Sequence, residues 1–348
     1  MGARELLQAE AAKRILITDG AFGTAIQNWK LDEAAYAGTL GLSHDQKGNN
    51  DILGLTKPEV VASIHRAYFE AGADIAETNT FSANRISQAD YGAEHLVREI
   101  NVESARLARG IADEFAAKDG RPRFVAGALG PTNKTLSLSP EVNDPGYREI
   151  EFDFLKDVYR EQIDALVEGG VDFILVETVF DTLNAKAAVM AAMEAANDLG
   201  RDLPIMMSMT LTDLSGRNLS GHTVEAFWHA IRHARPVTIG LNCSFGAQQL
   251  RPHVKTLSAI CDTLIMVYPN AGLPNELGEY DELPETTAGL VGEWAEQGQV
   301  NVLGGCCGST PDHIRAIAEA VRNLPPRTIP TPEVRTRLAG LEPFTMAA

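Results

Sequence analysis

The sequence predicts a closed (β/α)8 barrel of the α/β class. Eight short apolar runs alternate with amphipathic stretches of helical period along 348 residues. Each run is apolar through its middle, as strands of a parallel sheet covered on both faces should be. Loops after the first, third and seventh runs are long, at 20–56, 130–150 and 269–284. In a barrel all three emerge at the C-terminal rim, where active sites are built. The competing architecture is an open doubly wound sheet. Against it, the turn Asp19-Gly20-Ala21-Phe22-Gly23 after the first run lacks the G-x-G-x-x-G spacing of a nucleotide fingerprint.

In order, the expected strands are 14–19, 73–79, 123–129, 172–177, 203–209, 237–242, 263–268 and 300–304. Residues 1–15 mix Arg4, Glu5, Glu10, Lys13 and Arg14 with alanines, a helical lead-in without the apolar core of a signal peptide. Residues 57–71 place Val60, Ile64, Ala67 and Ala71 on one helical face, with Pro58 in the first turn. Residues 152–168, 183–197, 223–233 and 311–324 have the same period, and Thr310 is the expected N-cap of the last. A short echo supports repeated β/α units. Glu70-Ala71-Gly72-Ala73-Asp74 leads to Glu77-Thr78, and Glu168-Gly169-Gly170-Val171-Asp172 leads to Glu177-Thr178. The barrel is expected over 1–324, and the proline-rich segment 325–348 as a linker or strap.

Composition narrows the function. The net charge of −17 argues against general affinity for nucleic acid or anionic membrane. No apolar run reaches the roughly 18 residues of a membrane span. Four cysteines are no disulfide framework for a chain this long. A reducing, cytoplasmic address follows, and there cysteines serve more often as metal ligands or catalytic groups.

The cysteine distribution is the sharpest signal. Cys243 ends the sixth expected strand, and Cys306 and Cys307 end the eighth, within Gly304-Gly305-Cys306-Cys307-Gly308. The spacing is too long for a zinc finger, yet both strand ends reach one rim in a barrel. Three thiolates meeting there would leave a metal one open position, the pattern of catalytic zinc, and soft sulfur favours zinc over magnesium or calcium. The plainer alternative is a small buried hydrophobe at Cys243. Cys261 reads as core. His229 and His233 share helical spacing but lack the glutamate of H-E-x-x-H, so a packed or solvated helix face is expected. Acids close three strands, at Asp19, Glu77 and Glu177. Each could be a structural acceptor for loop amides. Together, the acids of the first and fourth strands would suit an ammonium group, and the backbone amides of 20–24 a carboxylate. The combination suggests an amino-acid ligand whose side chain reaches the metal.

On these residues the chain resembles the homocysteine-binding module of cobalamin-dependent methionine synthase. The likeness runs through Asp19-Gly20-Ala21-Phe22-Gly23-Thr24, Lys47-Gly48-Asn49-Asn50-Asp51, Glu77-Thr78-Asn79-Thr80-Phe81 and Gly130-Pro131-Thr132-Asn133. It continues through residues 139–145, 177–184, 240–243, 269–274 and 304–308. The cysteine motifs belong to the wider homocysteine methyltransferase family, which includes betaine-dependent enzymes. The stretches 47–51 and 139–145 look specific to the cobalamin-dependent branch.

The resemblance implies zinc held by Cys243, Cys306 and Cys307, with the homocysteine thiolate in the fourth position. It implies that Asn270 fills that position without substrate. Asp19 and Glu177 would hold the substrate amino group, and the amides around Gly20, Ala21, Phe22 and Gly23 its carboxylate. Phe22 stands where many relatives carry methionine. No D-x-H-x-x-G cobalamin signature occurs, and the chain stops about where a linker to a folate module would begin. The expectation is a fragment or a split enzyme, with methylcobalamin on a separate corrinoid- and folate-binding chain. The alternatives are a betaine- or S-methylmethionine-dependent methyltransferase, or a non-catalytic zinc or amino-acid binding subunit.

Overall fold

The computed structural model describes residues 2–347; Met1 and Ala348, the outer ends of the two expected segments, lie outside them. Eight parallel strands form the barrel: β1 Leu16–Ile17, β2 Ile75–Glu77, β3 Phe124–Leu129, β4 Phe173–Val179, β5 Ile205–Met209, β6 Thr238–Gly246, β7 Leu264–Asn270 and β8 Val302–Leu303. Each pairs with its neighbours in sequence, and β8 pairs with β1. A bridge between Thr18 and Ile75 closes the ring between β1 and β2.

A helix follows every strand: Pro58–Ala71, Val97–Asp119, Phe152–Gly169, Thr182–Leu199, Val224–Ile231, Ala247–Ile260, Pro284–Glu296 and Pro311–Val321. The second, sixth and seventh were not delimited by periodicity. Small or polar residues occupy part of the buried faces of the second and seventh, such as Ala105, Ala108, Ala112, Thr287 and Gly292, which thins the apolar stripe, and the sixth carries Pro252 inside it. In Pro58–Ala71 the buried face is wider than expected. Val61, His65, Tyr68 and Phe69 are buried, while Ala67 is only half-buried. The two echoed segments both end their helices at a left-handed glycine, Gly72 and Gly170.

The core has two layers. One lies between strands and helices. The other fills the barrel interior with Leu16, Phe124, Phe173, Met206, Met266 and Tyr268, among others. The lead-in helix Ala3–Ala11 adds Leu7 and Ala11 to that inner layer and so plugs the floor. After the last helix, Arg327 is buried and donates to the carbonyls of Ser258, Cys261 and Thr263 at 2.6 to 3.0 Å. The tail then forms an antiparallel ribbon, β9 Arg337–Ala339 with β10 Pro343–Thr345. Its tip reaches the loop after β5, where Thr223 N–H donates to the Leu341 carbonyl at 3.2 Å. No helix among the described residues is long and apolar enough to cross a membrane.

At the floor, Asp74 is fully buried and joins β1 to β2. It accepts from Arg14 at 2.7 and 2.9 Å, from Arg121 at 2.7 Å and from the Ile17 N–H at 2.9 Å. Removing one partner of such a pair leaves uncompensated charge. Asp74→Ala should therefore cost about 3 kcal/mol of stability, read as a lower urea midpoint at unchanged slope. An unchanged midpoint would show that the pair is dispensable to closure.

Candidate metal centre and substrate cavity

Two bulges build the site. Opposite β7, β6 pairs Asn242 with Tyr268 and next Gly246 with Asn270, so β6 advances four residues while β7 advances two. The surplus carries Cys243 and Ser244, both at positive φ, 62° and 60°. Opposite β5, β4 slips between Val176 and Val179. That irregularity carries Glu177 and Thr178, the latter at φ 53°. Bulges at a barrel rim re-aim side chains, and positive φ at non-glycine residues is strained.

Asn242 clamps both bulges. Its Nδ2 donates to Thr178 Oγ1 at 2.8 Å, and its Oδ1 accepts from Thr178 N–H at 3.0 Å and Ser208 Oγ at 2.7 Å. The same Nδ2 lies 3.9 Å from Cys306 Sγ. Ser244 Oγ is 2.8 Å from Thr210 Oγ1. From β8 the chain turns past Gly304, where a Cβ would lie 2.2 Å from Thr18 Cγ2, so only glycine fits. Cys306 N–H then donates to the Pro269 carbonyl at 2.7 Å, and Ala271 N–H donates to the Cys307 carbonyl at 2.9 Å.

The sulfurs of Cys243, Cys306 and Cys307 thereby lie within 4.8 Å of one another, and Cys243 Sγ is 3.7 Å from Cys307 Sγ. Hydrogen bonds from Cys243 and Cys306 hold the Cys307 thiol low, while the same sulfur contacts and burial push Cys306 well above the ordinary thiol range. The donor set of the cluster suits a soft divalent ion. One further observation fits a cation. The Asn270 Oδ1 is buried with no hydrogen-bond partner among the described residues, and its chain neighbours on both sides are those that bond the cysteine pair.

Beside the sulfurs stand three carboxylates. Asp19 is 2% exposed and accepts from the Glu77 N–H at 2.9 Å. Glu177 accepts from the Tyr268 hydroxyl at 3.2 Å. Glu77 has no side-chain donor among the described residues. Burial is the main cause that lifts all three above the usual carboxylate range, with Glu177 at about 8. Glu177 raises both neighbours further. A cation placed beside these acids would favour their ionised forms.

Across from them the short helix Phe22–Gln27 begins after Ala21. The first-turn amides of Phe22, Gly23 and Thr24 have no acceptor inside the helix. The Ala21 N–H is already used, on Ser309 Oγ at 3.2 Å, and the Thr24 hydroxyl accepts from Gly308 N–H at 3.0 Å. The three cysteines, Glu77, Glu177 and residues 20–24 line one cavity of about 560 Å³. It runs from the cysteines across the mouth to Gly48, Asn50, Asp51, Asn79 and Asn133.

Of the residues expected to form the site, Cys243, Cys306, Cys307, Asp19, Gly20, Ala21, Phe22, Gly23, Glu177 and Asn270 all lie at the C-terminal rim. All but Asp19 and Asn270 line this cavity directly. Cys261 is fully buried core. His229 is packed on its helix 3.6 Å from Glu225 and takes no part. Sequence reasoning did not assign Asn242, Tyr268 and Ser309, and left Glu77 outside the substrate contacts. For Glu77 a signal existed, since the echoed Glu-Thr pairs occupy equivalent strand ends.

A barrel with a three-cysteine cluster that could hold a metal ion, and clustered acids beside it at the C-terminal rim, has the layout of a metal-dependent enzyme site. Residues 16–321 match the family described as homocysteine S-methyltransferase, and the chain belongs to that family. It is a methyltransferase. Among solved structures, it is similar to the homocysteine methyltransferase MmuM from Escherichia coli in its oxidised, metallated and apo forms. The oxidised form gives a TM-score of 0.72 at 20% identity, covering 92% of this chain and 99% of that one. The metallated form gives 0.69 at 20% identity, covering 90% and 98%. The apo form gives 0.65 at 20%, covering 92% and 100%.

Asp51 offers a test of the cavity's far wall. Burial pushes its carboxyl from 3.8 up to about 7, against one N–H bond from Ser82. Between those values the folded chain holds a proton that the unfolded chain has lost. The group's contribution to stability is thus full below about pH 4 and is lost as pH rises through about 7. The stability gap between Asp51→Asn and the wild type should widen in favour of the variant across that window and level off above it. Denaturant titrations at several pH values giving a constant gap would mean that this carboxyl ionises normally.

Proposed function

We propose that the protein is a zinc-dependent homocysteine S-methyltransferase that makes methionine. Its methyl donor, on this reading, is methylcobalamin carried by a separate corrinoid- and folate-binding chain. The observation that carries the reading is the meeting of three sulfurs, the carboxylates of Glu77 and Glu177 with Asp19 bonded behind them, and a set of free backbone amides at one cavity. Cys243, Cys306 and Cys307 would hold the zinc, and Asn270 would complete its coordination until substrate arrives. Zinc bound there supplies Lewis acidity that keeps the substrate thiol ionised at neutral pH, where a free thiol with pKa about 8.5 is only a few per cent thiolate.

The chain's own groups supply binding and orientation. Asp19, Glu77 and Glu177 take the ammonium group, with Tyr268 fixing the Glu177 carboxylate. The amides of Phe22 and Gly23 take the substrate carboxylate. Anchoring both ends of the amino acid leaves its side chain one direction, toward the sulfurs. The sulfur lone pair then forms the new S–CH3 bond, and the electrons of the donor–methyl bond leave with the donor. Positioning, rather than a protein base, is the chain's contribution to that step.

Support for a corrinoid donor comes from the resemblance of 47–51 and 139–145 to the cobalamin-dependent branch, and from a cavity larger than one small amino acid requires. A small onium donor is the second reading. It is favoured by Asp51, Asp90, Phe81 and Tyr91 on the far wall, which offer acidic and aromatic groups to a cation. The four free cysteines support a reducing, cytoplasmic address.

The test is homocysteine-dependent demethylation of methylcobalamin by the zinc-loaded chain, followed by absorbance without oxygen. Turnover is expected, and Cys306→Ala should lose both bound zinc and more than about 100-fold of the rate. A Cys306→Ala protein with full zinc and full rate contradicts the ligand assignment. Turnover only with betaine or S-methylmethionine moves the donor to the onium class. Homocysteine binding with no turnover on any donor makes the chain a binding subunit. Separately, Glu77→Gln should weaken homocysteine about ten-fold while leaving zinc content unchanged. Unaltered affinity would remove Glu77 from the substrate site.

A further inference from the structure

The far wall of the cavity holds nothing that the homocysteine site requires, yet it is rigidly built. β2 lies across the ring from β6, so the loop over it faces Cys243 from the opposite side of the mouth. Against that loop packs the segment 44–51, from the long loop after β1, held down by amides. Gln46 Nε2 donates to the carbonyls of His44 and Tyr91 at 2.9 and 2.8 Å. Asn49 Nδ2 donates to Gln46 and Gln88 at 3.0 and 2.9 Å, and Gln88 returns a bond to Asn49 at 3.0 Å. Gln46, Asn49 and Gln88 are all fully buried, so the end of this segment is fixed before any ligand arrives.

What the segment presents is Asp51. Its side chain is 6% exposed and lines the cavity. Its Oδ1 accepts from Ser82 N–H at 3.1 Å and its own N–H also bonds the carboxyl, but no other described residue donates to it. Its neighbours are short of donors too. Asn79 uses its Nδ2 on the Asn50 carbonyl at 2.7 Å, and Asn133 directs its Nδ2 to Asp90 at 3.4 Å, leaving both amide oxygens open. A preformed wall of hydrogen-bond acceptors, one of them a nearly buried carboxylate, calls for a ligand that brings N–H groups.

We propose that Asp51 is the donor-side anchor: its carboxylate accepts an N–H from the methyl donor, while homocysteine is held across the mouth. The assignment rests on the reading that the chain methylates homocysteine. The ligand class is a methyl donor that carries N–H groups. Two sources share that chemistry, the primary carboxamides on the rim of a corrinoid and the ammonium of an amino-acid sulfonium. A quaternary ammonium donor such as betaine has no N–H and leaves the wall unsatisfied.

The experiment measures donor KM at saturating homocysteine for the wild type, Asp51→Ala, Asp51→Asn and Asn133→Ala, with methylcobalamin, S-methylmethionine and betaine in turn. Homocysteine affinity is measured in parallel by calorimetry. Asp51→Ala should raise the KM of the working donor about ten-fold or more at unchanged homocysteine affinity. Asn133→Ala, at an exposed position where folding is not at risk, should shift it in the same direction. Asp51→Asn separates the sources. A carboxamide donor tolerates the neutral acceptor, whereas an ammonium donor loses its counter-charge and suffers as much as with alanine. Binding of methylcobalamin to the metal-free chain, followed by titration, should rank the variants in the same order if the donor is a corrinoid. Unchanged donor KM in both alanine variants, equal loss of homocysteine affinity, or betaine as the working donor overturns the anchor while methyl transfer stands. No turnover with any donor overturns the methyl-transfer reading, and the anchor with it.

Discussion

Three cysteine sulfurs confined within 4.8 Å of one another cannot all carry charge unless a cation lies among them. The rest of the mouth follows from this constraint. The sulfurs' mutual contacts and burial push the Cys306 thiol well above the ordinary range. The carboxylates obey the same rule. Asp19, Glu77 and Glu177 are buried side by side, each held above its ordinary pKa. The mouth therefore holds two adjoining nests of unmet negative potential, one soft and one hard. On the proposed reading a soft metal would answer the first and an ammonium the second, and a single amino thiol would engage both.

Bringing the sulfurs together strains the backbone. Thr178, Cys243 and Ser244 sit at positive φ, a conformation that costs about 1–3 kcal/mol per residue. Asn242 makes this tolerable by bonding the two bulges to each other and to Ser208. The stabilising features lie elsewhere: the Leu7 plug in the floor, the Asp74 pairs between β1 and β2, and Arg327 tying the tail beneath the barrel. Strain at the top over a tightly closed floor is the division of labour expected of this fold.

Much of this was legible in the residues. The strands are short apolar runs, and every expected run overlaps one, but β4, β6 and β7 continue past the expected ends at 177, 242 and 268 to Val179, Gly246 and Asn270. Of the three helices left undelimited, two bury many alanines, or threonine and glycine, whose small side chains scarcely mark a face, and the sixth carries Pro252 inside an otherwise apolar stripe. The cysteines stood out because glycine flanks them at strand ends. Asn242 and Tyr268 did not, because their roles are contacts between strands far apart in the chain: Asn242 reaches Thr178 across 64 positions, and Tyr268 reaches Glu177 across 91. No local spacing encodes such a contact. The bulges themselves were invisible for the same reason, since register is a property of two strands at once.

The central claim is that the three sulfurs hold one metal and leave it open to a substrate thiol. Zinc K-edge X-ray absorption of the zinc-loaded chain, with and without homocysteine, measures it most directly. The account predicts one zinc per chain with three sulfur neighbours and one lighter atom. On adding homocysteine the lighter atom should be replaced by a fourth sulfur near 2.3 Å, about the usual Zn–S distance. A zinc environment unchanged by homocysteine, or one with fewer than three sulfurs before it is added, would contradict the account.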